Sequence, residues 1–199
     1  ASSKFTANAG TVLPPRPGVL VVIGCQSRVG KDTFATRFVE KYPDTLVLSF
    51  AQSLYEAAFG LQKTLNVEAK KDPVLMQKLA DLIKEMYGND YFSKIVKERI
   101  TRSLAENPSR NIVITDLHFK VELDMLSEFS FTSVRIIRPD RPIDRDENHA
   151  SETELLGISF DFEINNDGDL ERFHTAADAT IDKIVASKIS THLEKSLAQ

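Results

Sequence analysis

The stretch of this sequence best equipped for chemistry is Gly30-Lys31-Asp32-Thr33, which follows Gly24 and the apolar run Val19-Leu20-Val21-Val22-Ile23. That run is too short for a helix and rich in β-branched residues, so it reads as a strand buried on both faces. After Lys31 the apolar spacing turns helical, at Phe34, Phe38 and Val39, over Asp32 to Tyr42. Backbone N–H groups at such a helix start attract phosphate oxygens, and glycine lets the backbone approach them closely. Ser27, Arg28, Val29, Gly30, Lys31, Asp32 and Thr33 are therefore the candidate triphosphate-binding set. Lys31 would place an ammonium among the β- and γ-phosphates.

Two departures from the usual G-x-x-x-x-G-K-[ST] spacing bear on this reading. The first-glycine position holds Cys25, with Gly24 one residue earlier, and Asp32 stands where a hydroxyl usually sits. A carboxylate is a hard-oxygen ligand, which makes Asp32 the candidate Mg²⁺ residue. An acidic side chain in the first turn also suits the helix dipole, and both roles are compatible. Cys25, the single cysteine, reads as a buried and inert thiol.

The elements that must position these groups alternate along the chain. Strands are expected at Thr45–Phe50, Asn111–Thr115, Ser133–Ile137 and Phe162–Ile164. Helical spacing recurs at Leu54–Leu65, at Leu75–Met86 after Pro73, at Phe92–Leu104, at Val121–Phe129 and at Leu170–Ile184. Alternating strands and helices imply a three-layer α/β/α sandwich around a five-stranded parallel sheet. Asp116 ends the apolar run Ile112-Val113-Ile114-Thr115, at the strand edge that faces ligands in such sheets. It would position a substrate or magnesium-bound water, or else cap a turn. Residues 139–157 are polar and charge-dense without core periodicity and read as a mobile loop or lid. Residues 1–18 read as a flexible arm with a proline-rich exit, followed by one domain over 19–199.

Composition narrows the function classes. The 199 residues carry 25 Lys plus Arg against 29 Asp plus Glu, a net charge of −4, so no basic field for nucleic acid or anionic membrane is present. One cysteine excludes an intramolecular disulfide, and the four histidines show no metal-binding spacing such as HExxH. The longest apolar run falls far short of the ~18 residues that span a bilayer. A cytoplasmic protein is expected, and the start at Ala1 fits removal of an initiator methionine.

Gly30-Lys31-Asp32-Thr33-Phe34-Ala35 resembles the G-K-D-T-x-A variant of the phosphate loop in deoxynucleoside monophosphate kinases, many of them from bacteriophages. The likeness continues at intervals over residues 19–175. Ser49-Phe50-Ala51-Gln52-Ser53-Leu54 resembles that family's acceptor-side segment, and Tyr87-Gly88-Asn89-Asp90-Tyr91-Phe92 its G-x-D-x-aromatic helix start. Ile114-Thr115-Asp116-Leu117-His118-Phe119 with Glu122 is similar to its T-D-x-R-[FQ] element. Ile137-Arg138-Pro139 with His149-Ala150-Ser151-Glu152 is similar to its lid, and Ile164-Asn165-Asn166-Asp167-Gly168-Asp169-Leu170 to its last motif.

The resemblance implies a P-loop nucleoside monophosphate kinase-like fold with a lid at about 139–157 and an acceptor-side helical segment at about 50–106. It implies transfer of the ATP γ-phosphoryl group to a 5′-monophosphate with Mg²⁺. Catalytic roles then fall to Lys31, Arg138 and Asp116; Arg141 and Arg135 lie near Arg138. Thr33 would bond an α-phosphate oxygen and Asn166 would contact the donor adenine. Leu54, Tyr55, Phe92, Asp116, His118, Glu122, Arg138 and Glu152 would line the acceptor, with Phe92 stacking on the base. His118 replaces the family's arginine, and Tyr55 stands where many relatives carry lysine. The implied partners are small-molecule nucleotides and a second copy of the chain. A kinase for another phosphorylated small molecule, such as phosphomevalonate or a dephospho-coenzyme-A-like acceptor, and an inert nucleotide-binding module remain the alternatives.

Overall fold

The computed structural model describes residues 16–24, 26–141 and 153–197. Cys25 and Glu152 therefore lie outside the described residues, as do most of the arm and most of the expected lid. The elements run β1 (Leu20–Gly24), α1 (Lys31–Lys41), β2 (Leu46–Leu48), α2 (Gln52–Thr64), α3 (Pro73–Tyr87), α4 (Tyr91–Glu106) and β3 (Ile112–Leu117). They continue through α5 (Lys120–Leu126), β4 (Thr132–Ile137) and β5 (Phe162–Asn165) to α6 (Leu170–Leu197). The five strands form one sheet in the order β2-β3-β1-β4-β5, and every recorded pairing is parallel. The expected sandwich is what the chain forms.

β1 is central, and every one of its residues is buried. Because side chains alternate across a strand, β1 feeds two cores. Val21 and Ile23 pack with Phe34 and Phe38 of α1 and with Phe173, Ala177 and Ile181 of α6. Leu20 and Val22 pack on the opposite face with Val96 and Ile100 of α4 and Leu126 of α5. Burial on both faces is why the run carries no polar alternation. Ion pairs from Arg37 to Asp178 and from Lys41 to Asp182 tie α1 to α6.

The acceptor-side segment is held differently. The buried Gln62 amide donates to the Lys70 carbonyl and accepts the Lys70 N–H, which fixes the α2–α3 connection. Asp72 caps α3 by accepting the Val74 and Leu75 amides, ahead of Pro73 in the first turn. No residue of α3 is buried.

Two strands differ from their expected bounds, and the ends of the arm and lid segments are packed. β2 spans three residues rather than six, because the donors of Ser49, Phe50 and Ala51 turn to the Asp116 carboxylate. β3 accordingly runs past Thr115 to Leu117, with Asp116 inside it. The end of the supposed arm is packed: the Gly18 amide donates to the Pro108 carbonyl at 2.9 Å, and the Arg16 guanidinium lies 5.1 Å from the Tyr42 ring centre. The end of the expected lid is anchored too, since Leu155 is buried in the second core. Arg135 reaches the carbonyls of Leu155, Leu156 and Ile158 and stacks 4.5 Å over Phe160. That arginine is a tether of the returning chain.

Candidate active site

Parallel strands bring their C-terminal ends to one edge, where the loops after β1, β2, β3, β4 and β5 lie side by side. The phosphate loop follows β1, Leu54 and Tyr55 follow β2, and Asp116 and His118 stand at the end of β3. Arg138 follows β4 and Asn166 follows β5, whereas Phe92 opens α4.

In the loop after β1, Val29 is fully buried and plugs the first core, whereas Arg28 is exposed. Arg28 and Gly30 both adopt left-handed backbone, with φ of 58° and 109°. Such turns aim successive N–H groups at a common point, in front of the unpaired amides of the first turn of α1. Gly30 cannot be replaced without strain: a Cβ there would lie 3.0 Å from Asn166 Nδ2 and 3.1 Å from the Phe173 ring. Lys31 and Thr33 are half-buried in that first turn. Asp32 is exposed and lines a cavity of about 310 Å³ with Thr36, Val47 and Thr115.

Asn166 is put to a different use from the one its motif implies. Its Nδ2 donates to the Val29 carbonyl at 2.8 Å, and its backbone N–H to the Ile137 carbonyl at 2.7 Å. The side chain braces the phosphate loop from β5.

After β3 the chain makes a tight turn into α5. Glu122 Oε2 accepts the His118 amide at 2.8 Å and the Phe119 amide at 3.0 Å. Burial pushes the Glu122 carboxyl up to about 8 although both amides favour its charged form, and the nearby Asp116 adds to the rise. Glu122 is buried beneath the turn. What the turn presents is His118, whose Nε2 lies 3.5 Å from Lys31 Nζ.

Asp116 is likewise occupied with backbone. Oδ1 accepts the Phe50 amide at 2.8 Å; Oδ2 accepts the Ala51 amide at 3.0 Å and the Ser49 hydroxyl at 2.6 Å. It thereby sets the start of α2. Leu54 and Tyr55 follow on that helix, half-buried. Tyr55 stacks on Phe59, their centres 6.2 Å apart, and the pair lines an open cavity of about 380 Å³. Phe92 sits edge-on to Tyr91 at the start of α4, and Tyr91 in turn meets Tyr87 of α3. Arg138 follows β4 half-exposed, with Nε 3.4 Å from Asp140.

The fold thus joins Lys31 with His118, Val29 with Asn166, and Asp116 with Ser49–Ala51. Tyr55 and Phe92 have no recorded contact with these groups. One contributor had no sequence signal of its own: Lys84 of α3, whose ammonium lies 5.1 Å over the Phe119 ring.

The family model for deoxynucleotide monophosphate kinase matches residues 52–176. That stretch starts after the phosphate loop, so the loop and the matched region point to phosphoryl chemistry separately. A putative deoxynucleotide monophosphate kinase of Acanthamoeba polyphaga mimivirus is 32% identical over 80 residues, which span 40% of each chain. Among solved structures, the Deinococcus radiodurans tunicamycin resistance protein aligns at a TM-score of 0.49 with 15% identity, over 85% of this chain and 95% of that one. A gluconokinase from Sinorhizobium meliloti 1021 aligns at 0.47 with 11% identity, over 89% and 99%.

Proposed function

Because this chain belongs to the deoxynucleotide monophosphate kinase family, we propose that it transfers the γ-phosphoryl group of ATP to the phosphate of a (deoxy)nucleoside 5′-monophosphate. A phosphate oxygen of the acceptor forms a bond to the γ-phosphorus as the bond to the β–γ bridging oxygen breaks. The electron pair leaves on ADP. The acceptor is already an anion, so the step needs no general base. Positioning and charge stabilisation do the catalysis.

The observation that carries this reading is the 3.5 Å approach of Lys31 and His118. It brings the donor loop after β1 against the turn after β3, on the ligand-facing edge of the sheet. Lys31 and the loop amides hold the triphosphate, with Thr33 on the α-phosphate. Arg138, at the end of β4, supplies a guanidinium for the charge that spreads over the transferring group. His118 meets the acceptor side. Glu122 and Asp116 act beneath, one shaping the His118 turn and the other the start of α2.

Mg²⁺ typically keeps several waters and takes one or two carboxylates together with substrate phosphates. Asp32, an exposed carboxylate beside Lys31, fits that requirement. The ion would neutralise charge on the donor phosphates. No helix among the described residues is long and apolar enough to cross a membrane.

The test is a coupled ADP-release assay with ATP, Mg²⁺ and each deoxynucleoside and ribonucleoside monophosphate in turn. Acceptor-dependent turnover with at least one is expected. ATP binding without turnover on any of them would leave an inert nucleotide-binding module. Turnover confined to phosphomevalonate or dephospho-coenzyme A would move the enzyme to another acceptor class.

A further inference from the structure

We propose that Lys84, on the half-exposed helix α3, is an acceptor-phosphate ligand of this enzyme. The inference rests on the kinase reading above and extends it to a residue outside every motif of the sequence.

The turn after β3 carries two carboxylates nearby, and neither faces outward. Asp116 spends both oxygens on Ser49, Phe50 and Ala51. Glu122 is buried, with Oε2 shared between two amides. The groups presented at the turn are Lys31 and His118, which face each other, and the Lys84 ammonium, which reaches over from α3. Lys84 is half-buried and forms no ion pair among the described residues; its recorded contact is the face of Phe119, the neighbour of His118. It also lies near enough to Glu122 to favour that carboxyl's charged form.

The other basic side chains of the acceptor-side segment with recorded partners are engaged elsewhere. Lys94 pairs with Asp90, Lys97 with Glu128, Arg99 with Glu56 and Gln52, and Arg102 with Glu98. Lys71 lies over the Tyr55 ring. Lys84 is a cation that the segment brings to the turn. An aromatic face holds an ammonium in place without neutralising it, so the charge stays available for an anion. The anion this edge must take, besides the donor triphosphate, is the acceptor's phosphate. Helix α3 buries no residue of its own, so this polar contact with substrate would add to a lightly packed element.

The experiment compares the unmodified enzyme with Lys84→Met and Lys84→Arg, using the deoxynucleoside monophosphate that the unmodified enzyme turns over best. Methionine keeps an unbranched stem over Phe119 and removes the charge; arginine keeps the charge. Lys84→Met should raise the acceptor KM about tenfold or more and flatten its salt dependence, while ATP affinity stays within about twofold. Lys84→Arg should restore most of the loss. An unchanged acceptor KM in Lys84→Met overturns the proposal and leaves the kinase reading intact. An equal loss of ATP affinity also overturns it, because the residue would then be supporting the fold. If the unmodified enzyme phosphorylates no nucleoside monophosphate, the kinase reading fails first and this assignment goes with it.

Discussion

The carboxylate of Asp116 grips the backbone of Phe50: Oδ1 accepts the Phe50 amide at 2.8 Å, across from the end of β3 to the start of α2. With Oδ2 on Ala51 and Ser49, one side chain fixes where the acceptor-side helices leave the sheet. Asp116→Asn would turn an N–H₂ group toward donors that need an acceptor. A loss of about 1–3 kcal/mol in stability is expected by denaturant titration. The acceptor KM should rise with ATP affinity unchanged. Loss of turnover with both KM values and stability intact would instead mark Asp116 as a group acting on the reacting phosphates.

Lys31→Met should abolish most turnover, lowering kcat by about 10²–10³-fold, the range for removing one charge-stabilising donor. Lys31 is half-buried at a helix start, outside both hydrophobic cores, so the melting temperature should barely move. Steady-state kinetics beside a thermal melt checks both halves. Full activity in this variant would remove the proposed donor site.

Asn166→Ala should weaken ATP binding several-fold by releasing the Val29 carbonyl, which the side chain holds at 2.8 Å. The preference for ATP over GTP should stay constant, because the side chain is engaged with the loop rather than with a base. Binding titrations with both nucleotides decide between the two roles. A collapse of that preference would restore Asn166 to the adenine.

Glu122 makes stability depend on pH in the direction opposite to that of an ordinary paired carboxylate. Its folded-state value of about 8 lies above the ordinary 4.5, mainly through burial, so the folded protein binds the proton more tightly than the unfolded chain. Stability should therefore fall as pH rises from about 4.5 to about 8, then level off. Glu122→Gln keeps an oxygen for the His118 and Phe119 amides and cannot ionise. Its unfolding free energy should be flatter across that window and higher than that of the unmodified protein at pH 8. Parallel profiles for the two proteins would show that Glu122 does not titrate there.

Much of the architecture was legible in order and type of residue. The all-apolar run at β1, the Pro73 start of α3 and the aromatic opening of α4 each leave a local pattern, because helix and strand formation repeat with fixed periods. The phosphate loop was legible for the same reason, since its glycine, lysine and strand-to-helix context sit within a few residues. Boundaries drifted where a distant partner intervened. β2 stops at Leu48 because Asp116, 66 positions beyond Phe50, captures the Phe50 and Ala51 amides that would have continued it.

By itself, then, the amino-acid order determined the layered parallel fold, the donor loop and the kinase resemblance, all of which rest on contacts between near neighbours in the chain. Tertiary structure alone decided what the polar side chains do. Asn166 and Glu122 sit in motifs that suggest ligand contact, yet the folded chain turns them onto backbone groups that would otherwise lie unpaired. Lys84 carries no motif and still reaches the turn beside His118. A buried amide or carbonyl must find a partner wherever the chain brings one close, and that proximity is written in no short stretch of residues.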